Sequence, residues 1–182
     1  MAADTRAHRD PLGSRWRLAG WGAAVALLVA PGIAMQFTDE VNWNVADFFF
    51  AGALVLAVGI ALELAVRRTA NRAYRTAVAI ALAAGFVLVW ANAAVGIIGS
   101  EDHPANRMYD AVLAVGVVGA LVARFRPQGM AVALAATAFA QVLAGAVAWV
   151  SGWGAPVPIT LVFGAMWLAS AWLFRKAARQ PA

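Results

Sequence analysis

The chain has 182 residues, 63% of them hydrophobic and only 13% charged, a balance too apolar for a soluble domain of this length. The formal charge of +5 does not point to nucleic acid, because Arg clusters between apolar runs, as it does in the cytoplasmic loops of membrane proteins. With no Cys, and with His8 and His103 as the only imidazoles, disulfides, thiolate metal sites, cysteine nucleophiles and an intramembrane haem pair are all excluded, so no cofactor is expected.

Six apolar runs approach the ~20 residues that cross a bilayer, which predicts an all-α polytopic membrane bundle. Residues 1–15 are polar and lack periodicity, and read as a disordered cytoplasmic lead. The first run, Trp16 to Phe37, is too long for a signal h-region and offers only Gly32-Ile33-Ala34 as a small-x-small match, so an uncleaved helix is expected. Pro31 removes a backbone donor in its outer half and should kink it. Further runs cover about 45–66, 77–98, 107–123, 130–150 and 156–174. The fourth is short, which fits a thin span or a start within the preceding loop. A basic tail occupies 175–182.

Charge placement supports the same count. Arg6, Arg9, Arg15 and Arg17 precede or open the first run, and Arg67, Arg68, Arg72 and Arg75 fill the second-to-third connection. Arg124 and Arg126 lie in the fourth-to-fifth connection, and Arg175, Lys176 and Arg179 close the chain. A six-span arrangement thus puts thirteen of fourteen basic residues on one side, Arg107 being the exception, and predicts cytoplasmic termini. Six of nine acids collect on the opposite side. The segment Val55-Leu-Ala-Val-Gly59 recurs as Val112-Leu-Ala-Val-Gly116, which leaves open a repeat of the second and third helices in the fourth and fifth.

Several polar residues stand out against this background. Glu63 lies inside an apolar run, where an ionisable group is a functional candidate. Arg67 follows four residues later in the order that favours a helical ion pair, so an intramembrane pair is the simpler expectation. Asn92 and Gln141 are amides within apolar runs, and Thr137 lies one turn before Gln141 on the same face. Together they are a candidate polar pathway, or else separate interhelical hydrogen bonds. The outer rim supplies Asp39, Glu40, Asp47, Glu101, Asp102, His103 and Asp110. Carboxylates with one imidazole could bind a ligand or a divalent ion of unspecified identity, although no defined ligand spacing is present.

The competing reading of the rim is capping. Asn44 with Asp47 three residues on suits a helix N-terminus. Asn106 or Ser100 could cap the fourth helix, Pro104 suits a first turn, and Arg107 has rim acids in reach. Trp16, Trp21, Trp43, Trp153 and Trp172 fit an aromatic belt, with Trp90, Trp149 and Trp167 assigned to packing. Gly96, Gly99, Gly116, Gly119 and Ala120 permit close helix approach and a homo-oligomer or membrane-protein partner. No phosphate-loop, dinucleotide, zinc-protease or nucleophile-elbow motif occurs, and no catalytic residue is assigned.

The combination of Phe37-Thr-Asp-Glu-Val-Asn-Trp-Asn44, Glu63-Leu-Ala-Val-Arg-Arg68 and Val95-Gly-Ile-Ile-Gly-Ser-Glu-Asp102 resembles small bacterial inner-membrane proteins of no known function. That resemblance spans nearly the whole chain and implies no activity, substrate or site. Two readings stand. One is a non-catalytic accessory or envelope-associated component of the inner membrane. The other is a small oligomeric transporter or channel with an acidic extracytoplasmic mouth.

Overall fold

A computed structural model describes residues 11–39 and 41–180, with side chains from residue 18 onward. Among the described residues all regular structure is helical: α1 (Pro11–Ala34), α2 (Val45–Arg68), α3 (Arg72–Ala94), α4 (Arg107–Val122), α5 (Pro127–Val150) and α6 (Val157–Ala178). A single 3-10 turn, Pro104–Asn106, leads into α4. Five helices are long and apolar enough to cross a membrane, the α4 segment counting from Pro104, while the described apolar part of α1, Leu18–Ala34, is shorter. The protein is an all-α polytopic membrane-helix bundle.

Helix boundaries follow local chemistry. α1 begins at Pro11, upstream of the expected start at Trp16, and runs through Pro31 to Ala34. α3 begins five residues before the expected Ala77, because the Asn71 side chain caps it by accepting the Tyr74 N–H at 3.1 Å. It ends at Ala94 rather than Ile98, since Gly96 at φ +68° and Gly99 at φ +64° leave the helical region. The short fourth run does start within the preceding loop, through the 3-10 turn. The C-terminal basic segment is partly helical, with Arg175 and Lys176 in the last turn of α6.

The chain divides into two compact units, Met1–Gly59 and Ile60–Ala182, with α2 running from one into the other. In the first unit Asn44 Oδ1 accepts the N–H groups of Ala46 (2.7 Å) and Asp47 (3.2 Å), and Asp47 Oδ2 accepts the Asn44 N–H at 2.8 Å. This reciprocal cap opens α2 as expected. Trp21 packs its ring over Gly59, where a Cβ would lie 3.1 Å from the indole edge.

In the second unit α5 pairs with α6, α3 packs against α6, α4 packs against α5, and α3 meets α4 more lightly. The largest enclosed apolar side chains are Tyr109, Phe174, Leu88 and Val112. Trp167 is buried as expected of a packing residue, whereas Trp149, assigned to packing from the sequence, is 70% exposed on the outside of α5. α4 lies close on α5 because Gly116 and Gly119 carry no side chain. A Cβ at Gly119 would stand 2.7 Å from Ala133 Cβ, and one at Gly116 would stand 3.2 Å from Thr137 Oγ1. Gly59, the counterpart of Gly116 in the sequence repeat, faces an indole instead, so the two positions carry different packing.

The two ends of this unit differ in charge. At one end Arg75 donates to the carbonyls of Thr69 (2.6 Å) and Val66 (2.7 Å), capping α2, and Tyr74 Oη donates to Phe125 O at 2.9 Å. Tyr74 also meets the Phe174 ring edge-on at 5.1 Å, so the α2–α3 turn, the α4–α5 turn and the end of α6 gather there with their Arg residues. At the other end His103 of the α3–α4 connection meets Trp153 of the α5–α6 connection at 5.7 Å.

The close approach of α4 and α5 makes Gly119 a sensitive position. Replacement Gly119→Val should destabilise the protein by about 1–3 kcal/mol through overpacking against Ala133. Val117→Ala on the exposed side of α4 should change stability little. Thermal melts of the two variants in the same detergent check the contrast.

Candidate functional site

The corner between α3 and α4 concentrates the polar chemistry of the second unit. α3 terminates with the Val95 N–H bonded to Ala91 O at 3.1 Å. The chain then turns back tightly at Gly96, where a Cβ would come within 2.5 Å of the Ser100 carbonyl group, so only glycine fits. A second left-handed residue, Gly99, carries it towards His103.

Asn106 organises the whole turn from its centre. It is 4% exposed, and its Oδ1 accepts the N–H groups of Ile97 (3.0 Å) and Ile98 (2.9 Å). Its Nδ2 donates to Ser100 O at 2.7 Å and to Ile98 O at 3.3 Å. One amide side chain thus uses its two acceptor and two donor capacities on the backbone between α3 and the 3-10 turn. Asn106 occupies the N-cap position of α4 but makes no side-chain cap there, so the expected capping role is replaced by a clamp on the loop.

His103 supplies the cap instead. Its Nδ1 accepts the Ala105 N–H at 3.2 Å and so caps the 3-10 turn, in which Pro104 takes the first position. Asn92 joins the corner from the last turn of α3: its Nδ2 donates to Asn106 O and to Asp110 Oδ1, each at 3.3 Å. Asp110 sits in the first turn of α4, where the helix dipole favours a carboxylate.

The candidate residues therefore divide into several groups. Asn92, His103 and Asp110 come together around Asn106, whose place in the sequence suggests only a cap. Glu101 and Asp102 stand exposed on the turn. Arg107 makes no ion pair among the described residues. In the first unit Asp47 is used in the α2 cap and Asp39 is exposed, while Glu40 lies outside the described residues. No group of three His, Asp or Glu positioned to hold a metal ion occurs among the described residues. Glu63 and Arg67 form the expected ion pair, Nε to Oε1 at 2.6 Å, with the Arg largely exposed.

The candidate pathway does not form one lining. Asn92 is bound into the corner, and Thr137 donates its hydroxyl back to Ala133 O at 2.9 Å. Gln141 is fully buried, and neither of its amide atoms has a partner. An open groove of about 750 Å³ runs between α4 and α5, but it is lined by Ala114, Val118, Val122, Val132 and similar small apolar residues, and it includes neither Asn92 nor Gln141. Ser170, which donates to Ala77 O at 2.7 Å and ties α6 to α3, carries no signal in the sequence beyond a small polar residue in an apolar run.

The clamp predicts a large effect from one substitution. Asn106→Ala leaves two N–H groups and the Ser100 carbonyl without their partner, at about 1–3 kcal/mol for each buried group, and should cost several kcal/mol. Asp47→Ala should cost only about 1 kcal/mol, the usual value of a single cap. Melting temperatures give the order, and protease cleavage between Gly96 and Ala105 should accelerate in the Asn106 variant alone. No protein-family model, curated protein or solved structure matches the chain.

Proposed function

We propose that the chain is a non-catalytic accessory component of the bacterial inner membrane, with both termini cytoplasmic. In this reading it offers the α3–α4 corner on the extracytoplasmic side as a contact surface for a membrane-protein partner. The observation that carries the reading is the Asn106 clamp, which holds residues 96–106 in one shape while Glu101 and Asp102 stand outward in solvent. A contact loop fixed in advance loses little conformational freedom on association, and this favours binding without adding any contact.

Further support comes from charge. The Arg-rich turns at the opposite end of the unit favour a cytoplasmic position for that end. A basic complement that is Arg at every position but Lys176, beside abundant Ala, suits a GC-rich bacterial source. The competing reading, a small oligomeric transporter or channel with an acidic mouth, draws on the unpartnered amide of Gln141.

Because the chain has no Cys, single cysteines report orientation cleanly. Ser100→Cys should react with an impermeant maleimide added to intact cells, and Thr69→Cys only after lysis; the reverse pattern would overturn the orientation. A photo-crosslinking residue at position 101 should give a discrete protein adduct in membranes that disappears in the Asn106→Ala variant. An adduct pattern indifferent to Asn106, together with solute flux in liposomes abolished by Gln141→Leu or Asn92→Leu, would replace the contact role with transport.

A further inference from the structure

The core of the second unit contains buried polar atoms without hydrogen-bond partners. Apart from Asn92 Oδ1 at the α3–α4 corner, they are Tyr109 Oη on α4, Gln141 Oε1 and Nε2 on α5, and Thr160 Oγ1 and Trp167 Nε1 on α6. Tyr109 and Gln141 are fully buried, and Trp167 is 4% exposed. Other polar groups of the same core are spent on backbone carbonyls, Thr137 on Ala133 and Ser170 on Ala77.

Counting along the packed helices sets the unspent groups at levels within about two helical turns of one another. Gly145 meets Thr160 across the antiparallel α5–α6 interface, so one turn further on Gln141 stands level with Gly164. Thr160, Gly164 and Trp167 follow one another at helical spacing on a single face of α6. On the other flank Gly116 meets Thr137, and the same counting sets Tyr109 one turn from Gln141. Gly164 is buried, yet a Cβ built on it would meet no atom within 4 Å, which leaves room there for at least a methyl group.

We propose that this level of the bundle is a binding site for a small uncharged hydrogen-bonding molecule, held between Gln141 and Gly164. Thr160 Oγ1, Trp167 Nε1 and Tyr109 Oη are the further groups within its reach. The Gln141 amide presents one donor and one acceptor group, so the guest must both accept and donate. No carboxylate, Arg, Lys or His belongs to the set, and a charged guest would go unpaired in a low-dielectric core. Water is the smallest molecule that fits, since a buried water needs two to four polar partners. A neutral solute of a few heavy atoms shares the same chemistry. The site is independent of the contact role of the α3–α4 corner.

Two measurements test it together. In a dry core, Gly164→Ala fills space and gains helix propensity, so it should raise the melting temperature. With a guest in place the same substitution displaces it and strands the Gln141 amide, so the melting temperature should fall by about 2–4 °C. That loss should vanish in the Gln141→Leu background, where there is no amide to strand. Separately, the wild-type protein labelled with nitrogen-15 should show magnetisation transfer to the Trp167 indole N–H, the resonance being assigned with Trp167→Phe. Transfer from the water frequency identifies water, while transfer from another frequency with a matching extra mass in native mass spectrometry identifies a solute. Silence at the indole together with a melting temperature raised equally in both backgrounds would overturn the proposal. The indole measurement needs no variant at the site to fold.

Discussion

Where a chain leaves a helix inside or near a bilayer, its backbone N–H and C=O groups lose their helical partners and find little water to replace them. The structure depends on how it meets this demand at each turn. At the α3–α4 corner one side chain, Asn106, serves two donors and two acceptors of the loop. At the α2–α3 turn the guanidinium of Arg75 takes up the carbonyls of Val66 in the last turn of α2 and of Thr69 just beyond it, and Tyr74 reaches across to Phe125. At the start of α2, Asn44 and Asp47 satisfy each other's backbone. The polar side chains at these turns thus have a backbone task first, and any functional role there builds on that.

Between the turns the helices associate without a strong hydrophobic drive, since lipid tails are as apolar as the side chains they would replace. Close packing compensates. Gly116 and Gly119 bring α4 against α5, and Gly145 brings α5 against Thr160 of α6. The outer faces are left to Val, Leu and Trp, with Trp149 and Trp172 well exposed where lipid would meet them. Against this tight packing, the unpartnered amide of Gln141 and the open space at Gly164 are exceptions. A packed apolar core does not ordinarily keep an unpaired amide, because an unmet buried amide costs as much as tens of atom–atom packing contacts return.

Much of the architecture was legible in the residues. Helix number, the order of the runs, the cap at Asn44 and the Glu63–Arg67 pair all follow from local rules, in which the interacting groups lie within four residues of one another. Boundaries were less so. The apolar run carries α3 to Ile98, four residues beyond its end at Ala94, because Val95, Ile97 and Ile98 extend the run although Gly96 and Gly99 turn the backbone away. Asn106 was visible as a polar residue before an apolar run, which is the pattern of a cap. Its clamp depends on the loop folding back eight or nine residues, a contact that no local pattern encodes.

The sequence by itself determined that this is a membrane protein of several apolar helices with basic turns gathered at one end, because length, hydropathy and charge act residue by residue. Tertiary structure decided which polar groups meet. It joined Asn92 to Asp110, turned Thr137 back on its own helix, tied Ser170 to Ala77 on another helix, and left Gln141 enclosed without a partner. The reason is geometric. The partners of a buried polar atom are set by the register and rotation of neighbouring helices, and small residues such as Gly119 and Gly145 fix these through close contacts far apart in the chain.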